Sequence, residues 1–460
     1  MTNIISEMTP NEQKIQSRID RFFGQINLSK MLLQCNFYKE SGIHCATVLK
    51  ELFSLVFHGQ NLYRTLSMQN KGMSFKKNTA YRFLNASRFN WERLLLLIMT
   101  RLISSVDRLT GNDRESVFIF DDSLFSRNRS KKVELLAKVF DHTTHKFFKG
   151  FRMLTLGWSD GNTFLPISFN LLSSAKDENV LCEAKTVDKR TLAYKRRERA
   201  RQSTTDVLIA MLHAAKDIPA RLVLFDSWFT LPKTVIRVKK ENRDVIGMIR
   251  TTEKIHYLYQ EKWQNVKSIY QNLESPLDPR TPIIGSVCVK LREDKVSPVD
   301  EFVDARIVFI KDRRSENWLA LLCTDLSVSE EEVVRIYGKR WDIEVFFKVC
   351  KSYLALAKEF QGRSYDMQVA ATSIVFLRYA MLAMESRYTT DDRTIGELFY
   401  YLREELADIK LSQSLMLMVD ALRDVLKKLP LLSQEMANQI MTAFLNTIPL
   451  PLKQKLLLCA

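Results

Sequence analysis

The sequence lacks the features that mark several large classes of protein. Only 13 of its 460 residues are glycine, and no glycine-rich nucleotide-binding loop occurs, which argues against an ATP-driven mechanism. No uninterrupted apolar run reaches the roughly 20 residues that a membrane-spanning helix needs. The first residues include Glu7 and Glu12 and form no continuous apolar stretch, which does not fit a secretory signal. We therefore expect neither a nucleotide cofactor nor a membrane as a partner.

Cysteine is also sparse and unpaired along the chain. The seven cysteines are scattered, and no two have the C-x2-C spacing. Such an odd, dispersed set is typical of reduced thiols and predicts a cytoplasmic protein. His44 beside Cys45, and the pair His142 and His145, lack further ligands at zinc spacing. These pairs are more typical of a helix and a turn than of a zinc site.

Acidic residues are fewer than basic ones, 53 against 69, so the chain carries a formal net charge of +16 and a pI near 9.4. This charge favours a polyanionic partner and fast, salt-sensitive association. It is a permissive signal, because ribosomal, membrane-surface and nuclease proteins share it. At this length one hydrophobic core is rarely sufficient, so two to four subdomains are expected.

One predicted helix carries an unusual set of ionisable residues. A helix beginning near Glu331 would place four of them within a stripe roughly 60° wide, since their offsets are three, four and seven residues: Tyr337, Arg340, Glu344 and Lys351. Lys348 projects into the same stripe. Apolar residues cover most of the remaining circumference, namely Ile336, Ile343, Val345, Phe346, Phe347, Val349 and Cys350. A carboxylate held among cations on an otherwise apolar helix predicts phosphate or metal chemistry.

Two short apolar runs each end in an aspartate. Residues 117–120 precede Asp121, and residues 222–225 precede Asp226. Both runs are typical of buried strands, and ligands of α/β sheets gather where such strands end. A single strand-end aspartate is more often a turn or a helix cap. Its occurrence twice, together with the cationic helix, favours a site.

The predicted cluster of Asp121, Asp226 and Glu344 offers only oxygen ligands. Such ligands suit hard divalent cations rather than zinc. Two Mg²⁺ ions, for which Mn²⁺ would substitute, could activate an attacking hydroxyl and stabilise the leaving oxygen of a phosphoryl transfer. Asp122 is the rival of Asp121 as first ligand.

The sequences FDDS, LFDSWF and YGKRWDIEVFFKVCK resemble the catalytic core of bacterial insertion-sequence DDE transposases. More narrowly, they resemble the group that carries a tyrosine, arginine, glutamate and lysine signature and excises DNA through hairpin ends. The likeness covers roughly residues 70–385. It implies an α/β, RNase H-like core with a β-strand insertion domain between Asp226 and Glu344. The family usually shows aspartate, one variable residue, then Thr or Ser, which favours Asp121 followed by Ser123.

The resemblance also implies roles for individual residues. The three carboxylates would bind the metal ions, and Arg340, Lys351 and Lys348 would neutralise DNA phosphates. Tyr337 would donate a hydrogen bond to a phosphate. Trp318 would stack on a base flipped from the DNA end, with a buried sheet tryptophan as the alternative. The partners would be double-stranded DNA, both terminal inverted repeats and target, and a second copy of the chain in the active complex.

Pattern shifts divide the chain into five regions. They are a helical DNA-binding region (1–110), the first part of the catalytic core (111–244), the insertion domain (245–325), closing catalytic helices (326–390) and a C-terminal helical region that could pair two subunits (391–460). A helix starting at Ser74 would present Lys77 and Arg82 to a DNA groove, although a solvated face remains an alternative.

A run of cations in residues 185–201 includes Lys195, Arg196 and Arg197. Its position between the two aspartate strands predicts contact with DNA phosphates. The alternative is a solvated surface segment.

Taken together, these features predict a metal-dependent DNA transposase. Two other functions stay open at this stage. One is a related RNase H-like endonuclease that cuts DNA without joining it. The other is a transposase-derived DNA-binding regulator that has no catalytic activity.

Overall fold

The computed structural model describes most of the chain. The described residues are 17–67, 73–108, 114–141, 144–273, 282–294, 296, 298, 301–312, 317–360, 362–388, 393–429 and 432–457. Glu7, Glu12, His142 and Cys459 lie outside them. The six described cysteines are free thiols, as the scattered spacing predicts.

Helices form the N-terminal part, as expected. They are α1 (Arg18–Gln25), α2 (Leu28–Gln34), α3 (Cys45–Ser54), α4 (Leu62–Ser67), α5 (Lys77–Leu84) and α6 (Trp91–Asp107). Apolar residues at helical spacing bury one face of each, as Val48 and Leu52 do in α3. The predicted start of α5 at Ser74 is wrong. The helix begins at Lys77 because the Ser74 amide instead donates to the Glu51 carboxylate.

Five strands form the core of the sheet in the order β4, β3, β1, β5, β6. Their bounds are β1 (Val117–Ser126), β3 (Lys146–Ser159), β4 (Phe164–Leu172), β5 (Leu222–Phe225) and β6 (Asp244–Met248). Strands β4, β3 and β1 are antiparallel neighbours, whereas β1, β5 and β6 run parallel. This is the arrangement of an RNase H-like core. Strand β2 (Ala137–Asp141) pairs with the first residues of β3.

Strand β1 is longer than the sequence predicts. The apolar run ends at Phe120, but antiparallel pairing with β3 continues the strand to Ser126. Parallel pairing with β5 ends at Ile119 and Leu224. Asp121 and Asp226 each follow two residues later, so they lie side by side where the parallel part of the sheet stops.

Five further strands extend the sheet beyond β6. They follow the order β11, β10, β9, β7, β8, with bounds β7 (Tyr257–Tyr259), β8 (Lys262–Gln264), β9 (Ile283–Leu291), β10 (Val303–Lys311) and β11 (Trp318–Cys323). All pairs in this part are antiparallel, and β11 joins it to the core through β6. Residues between Asp226 and Glu344 thus supply the predicted strands.

Helices cover the sheet and follow it in sequence. They are α7 (Leu192–Ala200), α8 (Thr204–Ala214), α9 (Pro232–Lys240), α10 (Val266–Gln271), α11 (Glu330–Gly338), α12 (Trp341–Ser352), α13 (Tyr365–Tyr388), α14 (Ile395–Lys428), α15 (Gln434–Thr447) and α16 (Leu450–Leu457). By length and composition α13 could cross a membrane, yet its apolar window is wholly buried within the protein. It packs against α6 and β4 as a core helix.

The predicted single helix around Arg340 is interrupted. Gly338 ends α11, and the Lys339 and Arg340 amides donate to carbonyls three residues back before α12 begins at Trp341. Glycine is a poor helix former, and such tight bonds are typical of helix ends. The apolar circumference around the predicted stripe would be expected to be buried, but it is exposed in part, because Trp341 and Val345 are 54% and 41% exposed.

Candidate active site

The first aspartate and a serine share one face of β1. Asp121 and Ser123 are two residues apart, so their side chains point the same way. An Asp121 oxygen lies 3.5 Å from Arg340, and Lys351 Nζ donates to Ser123 Oγ at 2.6 Å. Asp122 points to the other face of the strand and pairs with Arg152. The signature residues therefore contact the face of Asp121 rather than that of Asp122.

The second aspartate is held by a tight turn after β5. Asp226 Oδ1 accepts hydrogen bonds from the backbone amides of Trp228 (2.9 Å) and Phe229 (3.3 Å). The Thr230 hydroxyl donates to the Asp226 carbonyl at 2.7 Å. These bonds fix the carboxylate at the edge of the sheet, where it lines a groove together with Asp121.

Both aspartates resist ionisation. Burial, followed by the charge of Asp226, raises the pKa of Asp121 to about 7, although Arg340 opposes the shift. Burial also raises the pKa of Asp226. A pair of buried carboxylates that resist ionisation is an arrangement that a bound cation would stabilise.

Arg340 joins the first aspartate to the glutamate. Its guanidinium lies 3.5 Å from Asp121 and donates to Glu344 Oε1 at 2.5 Å. Burial alone would lower the pKa of Arg340, but Tyr337 and the two carboxylates raise it. Glu344 stands in the first turn of α12, and its side chain is about one-third exposed. The arginine thus bridges two of the three predicted carboxylates.

The other signature residues surround this bridge. The Tyr337 ring lies 6.0 Å from the Arg340 guanidinium, and burial raises the pKa of its phenol to about 12. The phenol therefore stays protonated near neutral pH. Lys348 is exposed on α12, and it does not line the groove that Lys351 lines.

The donor set fits a hard divalent cation in part. Asp121 and Asp226 supply carboxylate oxygens at one sheet edge, as Mg²⁺ or Mn²⁺ prefers. Among the described residues, however, no three acidic, histidine or cysteine side chains form a group ready to hold a metal. Glu344 instead accepts a hydrogen bond from Arg340. Glu344 would have to exchange this partner to become the third ligand.

Comparison with known proteins places the chain in a family. Residues 50–282 match the family model described as DDE superfamily endonuclease. The chain belongs to the DDE endonuclease superfamily. The matched half includes Asp121 and Asp226 and ends before Glu344. No curated protein matches the chain. Among solved structures, a piggyBac transposase synaptic complex with hairpin DNA is similar at 11% identity and a TM-score of 0.41, covering 97% of this chain and 81% of that one.

In this DDE endonuclease, Trp318 lies within an aromatic cluster of the added strands. Its ring stacks on Tyr270 with centroids 4.4 Å apart and meets Phe309 edge-on at 5.5 Å. The side chain is half-buried. This packing fits the alternative interpretation of a sheet tryptophan, because Tyr270 covers one of its two faces.

The prediction that the whole basic run meets DNA needs correction. Arg197 is 5% exposed and binds Glu134 at 2.6 Å and Asp366 at 2.9 Å. Arg196 also binds Asp366, and donates to the Phe89 carbonyl at 2.8 Å. Both guanidinium groups are engaged by buried acceptors, so they hold α7 to the core. Of the three predicted residues, Lys195 alone is exposed.

The helix predicted to bind a DNA groove, α5, has its two predicted cations on the protein surface. Lys77 and Arg82 are exposed on α5, and the end of this helix is tied to α13 by a hydrogen bond from Ser364 to Asn85. Contact of these two residues with DNA stays a prediction.

Sequence reasoning missed a second set of cations and an aromatic residue. The groove that begins at Asp121 and Asp226 is also lined by Trp228 and by the loop after β1. Trp228 is 40% exposed, and the Arg250 guanidinium lies 4.4 Å from its ring centre. The signal for the loop was present, because four of the six residues 127–132 are Arg or Lys.

Proposed function

We propose that this DDE endonuclease is the transposase of a bacterial insertion sequence. It would cut double-stranded DNA at terminal inverted repeats and join the freed ends to target DNA. The observation that carries the proposal is the Arg340 bridge between Asp121 and Glu344, with Lys351 held beside the same strand. An endonuclease without joining activity has no need of the full four-residue signature. By resemblance, that signature favours cut-and-paste excision through hairpin ends.

In this proposal the carboxylates would bind the metal ions, and the basic residues would bind a DNA phosphate. Asp121, Asp226 and Glu344 would hold two Mg²⁺ ions, for which Mn²⁺ would substitute. When bound, the ions would activate the attacking hydroxyl and stabilise the leaving oxygen. Arg340 and Lys351 would hold a DNA phosphate beside the carboxylates, where electrostatic placement gives phosphoryl transfer most of its rate.

Two further residues of the signature would assist this placement. Tyr337, whose phenol stays protonated because its pKa is raised to about 12, would donate a hydrogen bond to the phosphate. Lys348, exposed on the same helix as Glu344, would meet the DNA farther from the scissile bond.

We also propose a homodimer in the active complex, in the bacterial cytoplasm, with residues 391–460 as the pairing region. Large apolar side chains on α14 support this, since Leu417, Met418 and Val425 are 70%, 67% and 57% exposed. The other proposed regions are a DNA-binding region to residue 110, core segments 111–244 and 326–390, and the insertion 245–325.

A cleavage and joining assay tests the proposed function. The DNA that flanks the gene supplies the terminal repeats, which are labelled and incubated with the protein, Mg²⁺ and a target plasmid. We expect nicked ends and joined products. Asp226→Asn and Glu344→Gln should abolish both while leaving repeat binding within a few-fold.

Glu332→Gln is the matched control, because Glu332 is an exposed glutamate on α11 that pairs with Arg335. It should cut and join normally. Cleavage without joining would identify an endonuclease, and binding without cleavage would identify a regulator. Normal cutting by Glu344→Gln would refute the assignment of the third carboxylate.

A further inference from the structure

The groove at the active site extends well beyond the carboxylates. It encloses about 1480 Å³, and Asp121 and Asp226 are among the residues that line it. Residues 126–133 form one further wall, and residues 356–358 and 362–363 form a second. Neither wall belongs to the four-residue signature or to the two aspartate motifs.

The first wall is fixed to the second by a half-buried arginine. Arg127 donates to the carbonyls of Ala357 at 2.7 Å and Phe360 at 3.2 Å, and also to the Gln368 side chain. The Glu134 amide donates to the Arg363 carbonyl at 2.8 Å. Burial lowers the pKa of Arg127 to about 10, so its guanidinium stays charged at neutral pH. The loop is therefore anchored at both ends.

Between these anchors the cations point to solvent. Arg129, Lys131 and Lys132 are exposed on the first wall, and Lys358 and Arg363 on the second. None of the five forms an ion pair with a described residue, whereas Arg196, Arg197 and Arg199 of α7 are all paired. Placing unpaired cations on two walls of one groove costs electrostatic repulsion, which a polyanion in the groove would relieve.

The lining as a whole is electropositive away from the aspartates. Eight lining residues are Lys or Arg and four are Asp. Two of the four acids are Asp121 and Asp226 themselves, and Asp122 is neutralised by Arg152. The fourth, Asp141, accepts a hydrogen bond from Thr144. The charge excess therefore lies along the two walls.

We propose that these two walls form a clamp that holds duplex DNA by its phosphates on one side of the scissile bond. The proposal rests on the proposed function in that the DNA is the molecule being cut. Contacts from lysine and arginine to phosphate carry no sequence information, so the clamp fixes position and register rather than recognising a repeat. Its anchored loop lowers the entropic cost of binding, because the cations are held in place beforehand.

Salt-dependent binding tests the clamp independently of cleavage. Binding of a duplex of unrelated sequence is measured by fluorescence anisotropy in EDTA, at salt concentrations from about 50 to about 200 mM, for the wild type and for Lys131→Ala/Lys132→Ala. The log–log slope should fall by about 0.9 for each phosphate that a lysine no longer neutralises. We expect a fall of about 1 to 2 units in the double variant, since it removes two cations.

The control is Lys216→Ala/Lys233→Ala, a pair of exposed lysines that do not line the groove. It removes the same charge and should leave the slope unchanged. Lys131→Arg/Lys132→Arg should retain the wild-type slope because it keeps both charges, and equal melting temperatures of the Ala variant and the wild type exclude a folding defect as the cause. An unchanged slope in the first variant, or an equal fall in the control, would overturn the clamp. If the Ala variant lowers the slope as expected but the wild-type protein cuts no DNA, the clamp stands and only the transposase proposal is refuted.

Discussion

The buried charge of Asp121 should destabilise the protein when no metal is bound. The pKa of this carboxyl is raised to about 7 by burial and by Asp226, against an ordinary value of 3.8. The folded state therefore binds more protons than the unfolded state between about pH 4 and about pH 7. Stability falls as pH rises through this window, and the fall is complete above about pH 7.

The perturbation is Asp121→Asn, which keeps the shape of the side chain and removes its charge. A shift of about 3 pH units corresponds to about 4 kcal/mol. For a chain of this length, that equals a rise of about 4 °C in melting temperature. The melting temperature of the variant should exceed that of the wild type by this amount at about pH 8 in EDTA, and the difference should shrink toward about pH 4.

Thermal unfolding at about pH 5 and about pH 8 measures the difference. Asp217→Asn serves as the control, because Asp217 is exposed and its substitution should change the melting temperature little at either pH. Added Mg²⁺ should stabilise the wild type more than the Asp121 variant, since a ligand that binds only the folded state raises its stability. An Asn variant no more stable than the wild type at the higher pH in EDTA would refute the reasoning.

Three further predictions concern residues around the site. Arg197→Met should lower stability by about 3–5 kcal/mol, because it leaves buried carboxylates unpaired, and it should not change the salt dependence of DNA binding. An unchanged melting temperature together with a lower salt slope in anisotropy would instead show that Arg197 contacts DNA. Gly247→Ala should cost about 1–3 kcal/mol by overpacking and slow cleavage, since an added Cβ would lie 2.2 Å from the Thr230 hydroxyl. Gly285→Ala, whose nearest atoms lie at 3.6 Å, is its control, and equal melting temperatures would contradict the prediction. Trp318→Ala should lower the free energy of unfolding by about 3–5 kcal/mol and reduce nicking and hairpin yield together. A stable variant that nicks DNA but forms no hairpin, and whose hairpin yield is restored by an abasic DNA end, would instead indicate that the ring stacks on a flipped base.

The carboxylate pair at the sheet edge could be predicted because its signals are local. Each aspartate follows a short run of β-favouring apolar residues, and the parallel register then brings Asp121 and Asp226 together. The signature helix was predicted for the same reason. Its interruption at Lys339 and Arg340 was missed, although Gly338 gave a local hint.

The fate of the basic segments could not be predicted from local pattern. Arg197 binds Glu134, 63 residues away, and Asp366, 169 residues away. Arg127 is held by carbonyls about 230 residues away. Whether a cationic run is buried or exposed depends on such distant partners, which only the fold brings together. Arg196 and Arg197 are therefore engaged inside the fold, whereas Lys131 and Lys132 of a similar run are exposed.

Pairing with carboxylates separates the cations that hold the fold from those available to DNA. Arg378 and Glu359 are almost wholly buried and bind each other, so removing either would leave an uncompensated charge. Lys131 and Lys132 have no such partner among the described residues and cost little to redirect toward a phosphate. Arg340 stands between these cases, because its partners are Asp121 and Glu344 themselves. Under the proposed function, a metal ion that bound these carboxylates would compete with Arg340 for the same oxygens, and the displaced guanidinium would be available to a DNA phosphate. We therefore predict that metal binding at the carboxylates and phosphate binding by Arg340 would be coupled, and by linkage each event would favour the other.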